Sequence, residues 1–174
     1  MTVRSSKVLH KAKYFSLVEE EILLPNNQTV VRSIVRHPGA VVIVPVQADG
    51  KLLLVKQFRI PLGFTLIEFP AGTLESTEPP LECAKREIQE EVQVAARSWT
   101  SLGTLIPAPG FCDELQHLFG AKDLIPSNGD LDEDEIIEVI AMSPSEIEAA
   151  IKTNNINDCK TIAAFVKARL YGFI

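Results

Sequence analysis

Between Gly72 and Val94 the chain reads GTLESTEPPLECAKREIQEEVQV, and Gly72, Glu78, Arg86, Glu87, Glu90 and Glu91 have the types and spacing that hydrolysis of a diphosphate needs. With each position matched by chance at roughly 6%, such a set is expected about once in 10⁵ sequences of this length. The carboxylates are the chemical core of the pattern. Clustered carboxylate oxygens without His or Cys partners favour a hard cation, Mg²⁺ or Mn²⁺, over zinc. Mg²⁺ keeps several waters and binds through few protein carboxylates together with substrate phosphates, so a phosphate-bearing ligand is implied. Read alone, the run Arg86-Glu87-Ile88-Gln89-Glu90-Glu91 would be a solvated acidic helix face, and the flanking Gly72, Glu78 and Arg86 argue against that reading.

A helix must present these acids. Thr77 or Glu78 is expected to cap it, and Pro79 and Pro80 suit a first turn whose N–H groups lack partners anyway. At about 100° per residue, Leu81, Ala84, Ile88 and Val92 form one apolar stripe for the core. Glu87, Glu90 and Glu91 fall off that stripe, and Glu91 is expected to face solvent. Glu87 lies three and four residues before the other two, and each like-charge pair costs roughly 0.2–0.5 kcal/mol on an exposed helix, which a bound cation would remove. Gly72 is expected either to adopt a backbone conformation other residues resist or to allow a close approach. Glu78 and Arg86 read as an ion pair tying loop to helix, with a catalytic part for Arg86 as the alternative. Arg59 is the preferred phosphate contact, because a guanidinium binds two oxygens at once and stays charged.

The rest of the chain supplies a strand-rich frame. Tyr14 to Leu24 and Val30 to Arg36 read as strands joined by the turn Pro25-Asn26-Asn27. Ala40 to Val46, Leu52 to Phe58, Trp99 to Leu105, Leu115 to Ala121 and Ile136 to Ala141 are further strands. Ser143-Pro144-Ser145-Glu146 combines a capping box with Pro at the first helical position, opening a helix to about Lys152. A last helix is expected from Asp158 to Leu170, with Ile162, Phe165, Val166 and Leu170 at helical spacing. Strands mixed with three helices give a sheet sandwiched between helices.

At 174 residues the chain is one domain's worth, a size that buries about 70% of its unfolded surface. No apolar run reaches the length of a membrane span, and Met1 to Lys13 lacks the apolar centre of a signal peptide, so a cytoplasmic location is expected. The net charge of −6 argues against a nucleic-acid partner, since polynucleotide binding is dominated by basic contacts to phosphate. Cys83, Cys112 and Cys159 are odd in number and widely spaced, which suggests neither a disulfide framework nor a zinc site. His37 and His117 read as structural.

The segment from Gly72 resembles the Nudix box: Gly, five residues, Glu, seven residues, Arg-Glu, an aliphatic, any residue, Glu-Glu, any residue, Gly, an aliphatic. Gln93 stands where that pattern has its second glycine, which normally ends the helix in a left-handed turn. His37-Pro38-Gly39-Ala40-Val41, Gln57-Phe58-Arg59, Glu68-Phe69-Pro70-Ala71-Gly72, Pro109-Gly110-Phe111-Cys112-Asp113-Glu114 and Asp132-Glu133-Asp134-Glu135 are similar to segments of the ADP-ribose pyrophosphatase branch of this family. The resemblance implies an α/β (α+β) fold, the Nudix α/β/α sandwich with a mixed sheet, over residues 38–174. It implies an extra antiparallel β region over residues 1–37, exchanged between protomers of a homodimer. The implied reaction is metal-dependent hydrolysis of ADP-ribose to AMP and ribose 5-phosphate. Another nucleoside diphosphate sugar, such as GDP-mannose, or a non-catalytic ADP-ribose sensor are the alternatives. By the same resemblance Glu87, Glu90, Glu91 and the Ala71 carbonyl hold the ions, and Arg86 and Glu90 belong to the catalytic set. Phe111 and Glu114 line the ribose side. Glu135 is the general base, with Glu133 as the alternative under a shift of register.

Overall fold

The structure, a computed structural model, describes residues 1–129 and 136–174. Three strands open the chain, β1 (Thr2–Lys11), β2 (Ser16–Leu23) and β3 (Thr29–Arg36), and they pair in that order as an antiparallel sheet. β4 (Ala40–Pro45), β5 (Leu52–Arg59), β6 (Phe64–Glu68) and β7 (Ala71–Thr73) lead into helix α1 (Pro80–Val92). β8 (Val94–Leu105), β9 (Gln116–Pro126) and β10 (Ile137–Met142) follow, and α2 (Pro144–Lys152) and α3 (Cys159–Leu170) close the chain. The two inner sheets run β7-β4-β9-β8 and β10-β5-β6. β4 and β9 are parallel, with Val42 opposite Leu118, and the other pairings are antiparallel. The expected mixed α/β/α arrangement is therefore present.

The alternation of side chains explains why β4 and the first four residues of β5 are apolar throughout. Successive residues of a strand point to opposite faces, so a strand covered on both sides reads as a continuous hydrophobic run. Val42, Val44, Leu52 and Leu54 join Ile147 of α2 and Ala164, Phe165 and Ala168 of α3 in one buried cluster. Val41, Ile43, Leu53 and Val55 join Cys83, Ala84, Ile88 and Val92 on the α1 side. The capping box of α2 forms as expected, with Ser143 Oγ accepting from the Glu146 amide and Glu146 accepting from the Ser143 amide.

Some elements differ from the sequence reading. β1 lies in the β region that the resemblance implies but is not legible as a strand from its residues, since TVRSSKVLHK has no apolar face; pairing with β2 makes it a strand. β6 and β7 are likewise short strands fixed by partners. β8 starts at Val94, ahead of Trp99, and β9 continues to Pro126. On α3 the buried face is Thr161, Ala164, Phe165 and Ala168, whereas Val166 and Leu170 are exposed.

The front sheet is tied to the body through the loop after β8. The Val35 amide donates to Phe111 O at 2.8 Å and the Asp113 amide to Val35 O at 3.2 Å. Arg36 donates to buried Glu20 at 2.5 Å and to Asp113 at 3.0 Å, and Asp113 also accepts from the His37 amide at 2.8 Å. The hydrogen bond from Arg36 holds the Glu20 carboxyl below its ordinary range. Burial pushes Asp113 up, but the His37 amide and Arg36 outweigh it and leave that carboxyl lowered too. Groups depressed in the folded state stabilise above their unfolded pKa, and that stability is lost as pH falls through the folded value. Arg36→Met is therefore expected to lower the melting temperature at pH 7 and to cost progressively less as pH falls below the ordinary carboxylate range. Thermal melts across that range check it, and an equal deficit at both ends would sink the account.

Candidate active site

Helix α1 carries the acidic pattern, and its start differs from expectation. Pro79 is the N-cap, Pro80 is at the first helical position, and no side chain caps the helix. Glu78 is used elsewhere, accepting from the Glu75 amide at 3.1 Å and from Arg86. The inner face is Cys83, Ala84, Ile88 and Val92, with Leu81 partly buried. Glu91 is a correction: it does not face solvent but is 3% exposed. Its Oε2 accepts the Ala71 amide of β7 at 3.0 Å. That bond joins helix to strand and offsets the cost of burying a carboxylate.

Arg86 is the hub of the remaining acids. Its Nε and one terminal nitrogen grip both oxygens of Glu78 at 3.1 and 3.0 Å. The other terminal nitrogen donates to Glu87 at 2.7 Å and Glu90 at 2.8 Å. The expected Glu78–Arg86 ion pair is thus present, and the same guanidinium spans two of the acids read as metal ligands. The hydrogen bond from Arg86 lowers the Glu78 carboxyl, and its bond to Glu78 in turn raises Arg86. Cys83 lies beneath, its thiol pushed up by burial first and by the charges of Glu87 and Glu78 next. It is no nucleophile at neutral pH.

A cavity of about 840 Å³ brings Arg59, Ala71, Gly72, Arg86, Glu87 and Glu90 to one space. Lys13 and Tyr14, from the turn between β1 and β2, also line it and were not singled out from the sequence. Arg59 reaches the cavity from the end of β5, and its Nε donates to Glu68 Oε2 at 2.7 Å. Gly72 does not have a positive φ, so the need for glycine is one of space. A Cβ there would lie 1.8 Å from the Glu87 carboxyl carbon. Because that carboxyl is the far end of a flexible side chain, Gly72→Ala should leave the fold intact while displacing Glu87. We expect a melting temperature close to that of the parent and a loss of turnover of about 10²-fold. Retained turnover in a steady-state assay would show that the placement of Glu87 is irrelevant.

Other residues marked in the sequence are not gathered here. Phe111 is 61% exposed and Glu114 accepts from Gln116 at 2.9 Å; neither lines the cavity. Glu133 and Glu135 lie outside the described residues. Two residues the sequence reading passed over are Glu68, 1% exposed, and Lys160 of α3, whose ammonium pairs with it. Glu68 stands within a segment already marked, but nothing local signals a partner 92 positions away.

The donor set suits a hard cation, being carboxylate oxygens and the Ala71 backbone on one cavity wall. Among the described residues, no three acidic, His or Cys side chains are grouped closely enough to hold an ion as they stand. Arg86 takes up Glu87 and Glu90, and the Ala71 amide takes up Glu91. A positive group already sits between two of the acids, so the site suits positive charge.

Fold and site together define a protein built around an acidic helix that walls a cleft of about 840 Å³. The NUDIX domain family model matches residues 35–165, and the chain belongs to the Nudix family of hydrolases. It is 38% identical over 158 residues to an ADP-ribose pyrophosphatase of Bacillus subtilis (strain 168), a match spanning 90% of this chain and 85% of that protein. It is 32% identical over 165 residues to a GDP-mannose pyrophosphatase of Yersinia enterocolitica, covering 87% of this chain and 86% of the relative. In fold it is similar to the crystal structure of an ADP compounds hydrolase, with a TM-score of 0.84 at 22% identity over 98% of this chain and 92% of that one.

Proposed function

We propose that this cavity hydrolyses the diphosphate bond of ADP-ribose to AMP and ribose 5-phosphate, with Mg²⁺ or Mn²⁺ held by Glu87, Glu90, Glu91 and the Ala71 carbonyl. The carrying observation is that Arg59, a guanidinium suited to phosphate, faces the same space as Glu87 and Glu90. The similarity to an ADP-ribose pyrophosphatase over 90% of the chain supports the substrate. The relative named for GDP-mannose keeps that sugar as the second reading. A sensor without activity is disfavoured because every carboxylate of the box is retained.

Bound divalent ions would neutralise the diphosphate and lower the pKa of a water. Arg59 binds phosphate oxygens and fixes the diphosphate against the acidic wall. Arg86 fixes Glu90 and Glu87 by hydrogen bonds at 2.8 and 2.7 Å. Water attacks phosphorus, a bond from phosphorus to the bridging oxygen breaks, and the water's proton passes to a carboxylate. We assign that base to Glu135, with Glu133 as the alternative.

We further propose a cytoplasmic homodimer in which residues 1–37 are the exchanged element. Its support is that β1 is exposed along its length, with Val3, Val8 and Leu9 uncovered. No helix among the described residues is long and apolar enough to cross a membrane.

A panel of nucleotide sugars assayed with Mg²⁺, with phosphate release coupled to a phosphatase, tests the reaction. ADP-ribose should be cleaved fastest, EDTA should abolish release and added Mg²⁺ or Mn²⁺ should restore it. Fastest cleavage of GDP-mannose moves the assignment to the second reading, and inertness toward the whole panel ends it. Light scattering on the same preparation should give the mass of two chains; a monomer rules out the exchanged dimer.

A further inference from the structure

Gln93, directly after α1, has φ 59° and ψ 34°, a left-handed conformation that side chains other than glycine resist. A glycine would supply this turn without strain, so the side chain needs a reason of its own. The structure provides one. Gln93 Nε2 donates to Gly129 O at 2.7 Å and lies 3.3 Å from Glu90 O. Gln93 O accepts the Ser127 amide at 3.0 Å. Ser127 Oγ donates to Gln89 Oε1 at 2.8 Å, and Gln89 Nε2 donates one turn back to Lys85 O at 2.7 Å.

These bonds lay the chain leaving β9 across the last turn of the acidic helix. Gly129 sits so close that a Cβ would lie 2.4 Å from Gln89 C and 2.5 Å from Glu90 N. Those are backbone atoms and cannot swing aside. The segment therefore rests on the peptide that carries Glu90, whose carboxylate takes Arg86 at 2.8 Å.

We propose that Gln93 is a positioning residue that acts through Glu90: its amide clasps Gly129 onto the Gln89–Glu90 peptide and so fixes the aim of the Glu90 carboxylate. A glycine at 93 could end the helix but could not hold Gly129. The inference rests on the reading of Glu90 as part of the hydrolytic site.

Gln93→Gly and Gln93→Met separate this role from helix termination. Gln93→Gly relieves the left-handed strain and should melt no lower than the parent protein. It should nonetheless lose about tenfold in kcat on ADP-ribose with Mg²⁺, with KM changed by less than about twofold, as expected for a misplaced catalytic group. Gln93→Met, similar in length but without a donor, should lose kcat to a similar degree. Hydrogen exchange read without substrate should show faster exchange at the Ser127 amide, bonded to Gln93 O, in both variants. A kcat for Gln93→Gly equal to that of the parent, or unchanged exchange, overturns the proposal. A parent protein inert on every nucleotide sugar would instead remove the reading of the site, while the exchange data would still decide whether the clasp exists.

Discussion

Glu91→Gln is expected to reduce turnover at least about 10²-fold, the usual loss when a preorganised electrostatic group is removed, while the protein stays folded. The structure sharpens the second half of that statement. Glu91 is buried, and its Oε2 accepts the Ala71 amide at 3.0 Å. Glutamine has the same shape and keeps an oxygen that can take that N–H, so the link between α1 and β7 survives. What disappears is the negative charge beside the Ala71–Gly72 backbone. A change that keeps contacts but removes charge isolates electrostatics from packing. Glu91→Ala would not, since it leaves the Ala71 amide without this acceptor in a partly buried place. The measurement is kcat on the preferred nucleotide sugar alongside a thermal melt. Unimpaired kcat would remove Glu91 from the ligand set, and a large drop in melting temperature would show that the charge itself holds the fold.

Glu68→Gln is expected to damage both stability and substrate binding. Glu68 is 1% exposed and lies between two cations, Arg59 at 2.7 Å and the closely paired Lys160. Lys160 also pairs with Asp158 at 3.1 Å. Asp158 in turn caps α3 by accepting from the Thr161 amide and hydroxyl at 2.9 and 2.6 Å. Thr161 Oγ1 accepts the amide of Phe69, the neighbour of Glu68, at 3.0 Å. The network thus ties the start of α3 to the strand end that leads into Ala71. Removing one partner of a buried ion pair costs about 3–5 kcal/mol. Because Arg59 is 33% exposed, solvent offsets part of the loss, and about 3 kcal/mol is the expected figure. Arg59, freed from its orienting carboxylate, should bind the diphosphate less well, raising KM about tenfold, equivalent to about 1.4 kcal/mol. Lys160→Met should reduce stability but largely preserve KM, since the Arg59–Glu68 bond remains. Melting curves and KM values for both variants decide the matter. Equal KM for Glu68→Gln and parent would show that Arg59 needs no such support.

The sequence pattern reached far into the site because much of the site is local. Glu87, Glu90 and Glu91 lie on adjacent turns of one helix, and Arg86 meets Glu90 at the i,i+4 spacing. Helical geometry makes such proximity readable from residue order alone. The capping box at Ser143 and the two apolar runs of β4 and β5 are local in the same sense. Glu91 shows where this stops. An amphipathic helix places it beside the core boundary, and only the approach of β7 decides that it is buried. Gln93 is similar: its position predicts a strained turn, but the value of its amide depends on Gly129, 36 residues away.

The residue string by itself determined the chemistry on offer, an oxygen-rich acidic helix with a glycine and an arginine at fixed spacing, because helical periodicity converts spacing into neighbourhood. It also determined the layered fold, because alternation and apolar runs record which strands are covered on both faces. Tertiary structure alone decided that Glu91 is buried against the Ala71 amide and that Lys160 stands against Glu68. Those outcomes depend on contacts between segments far apart in the chain, set by how the layers pack rather than by any short stretch of sequence.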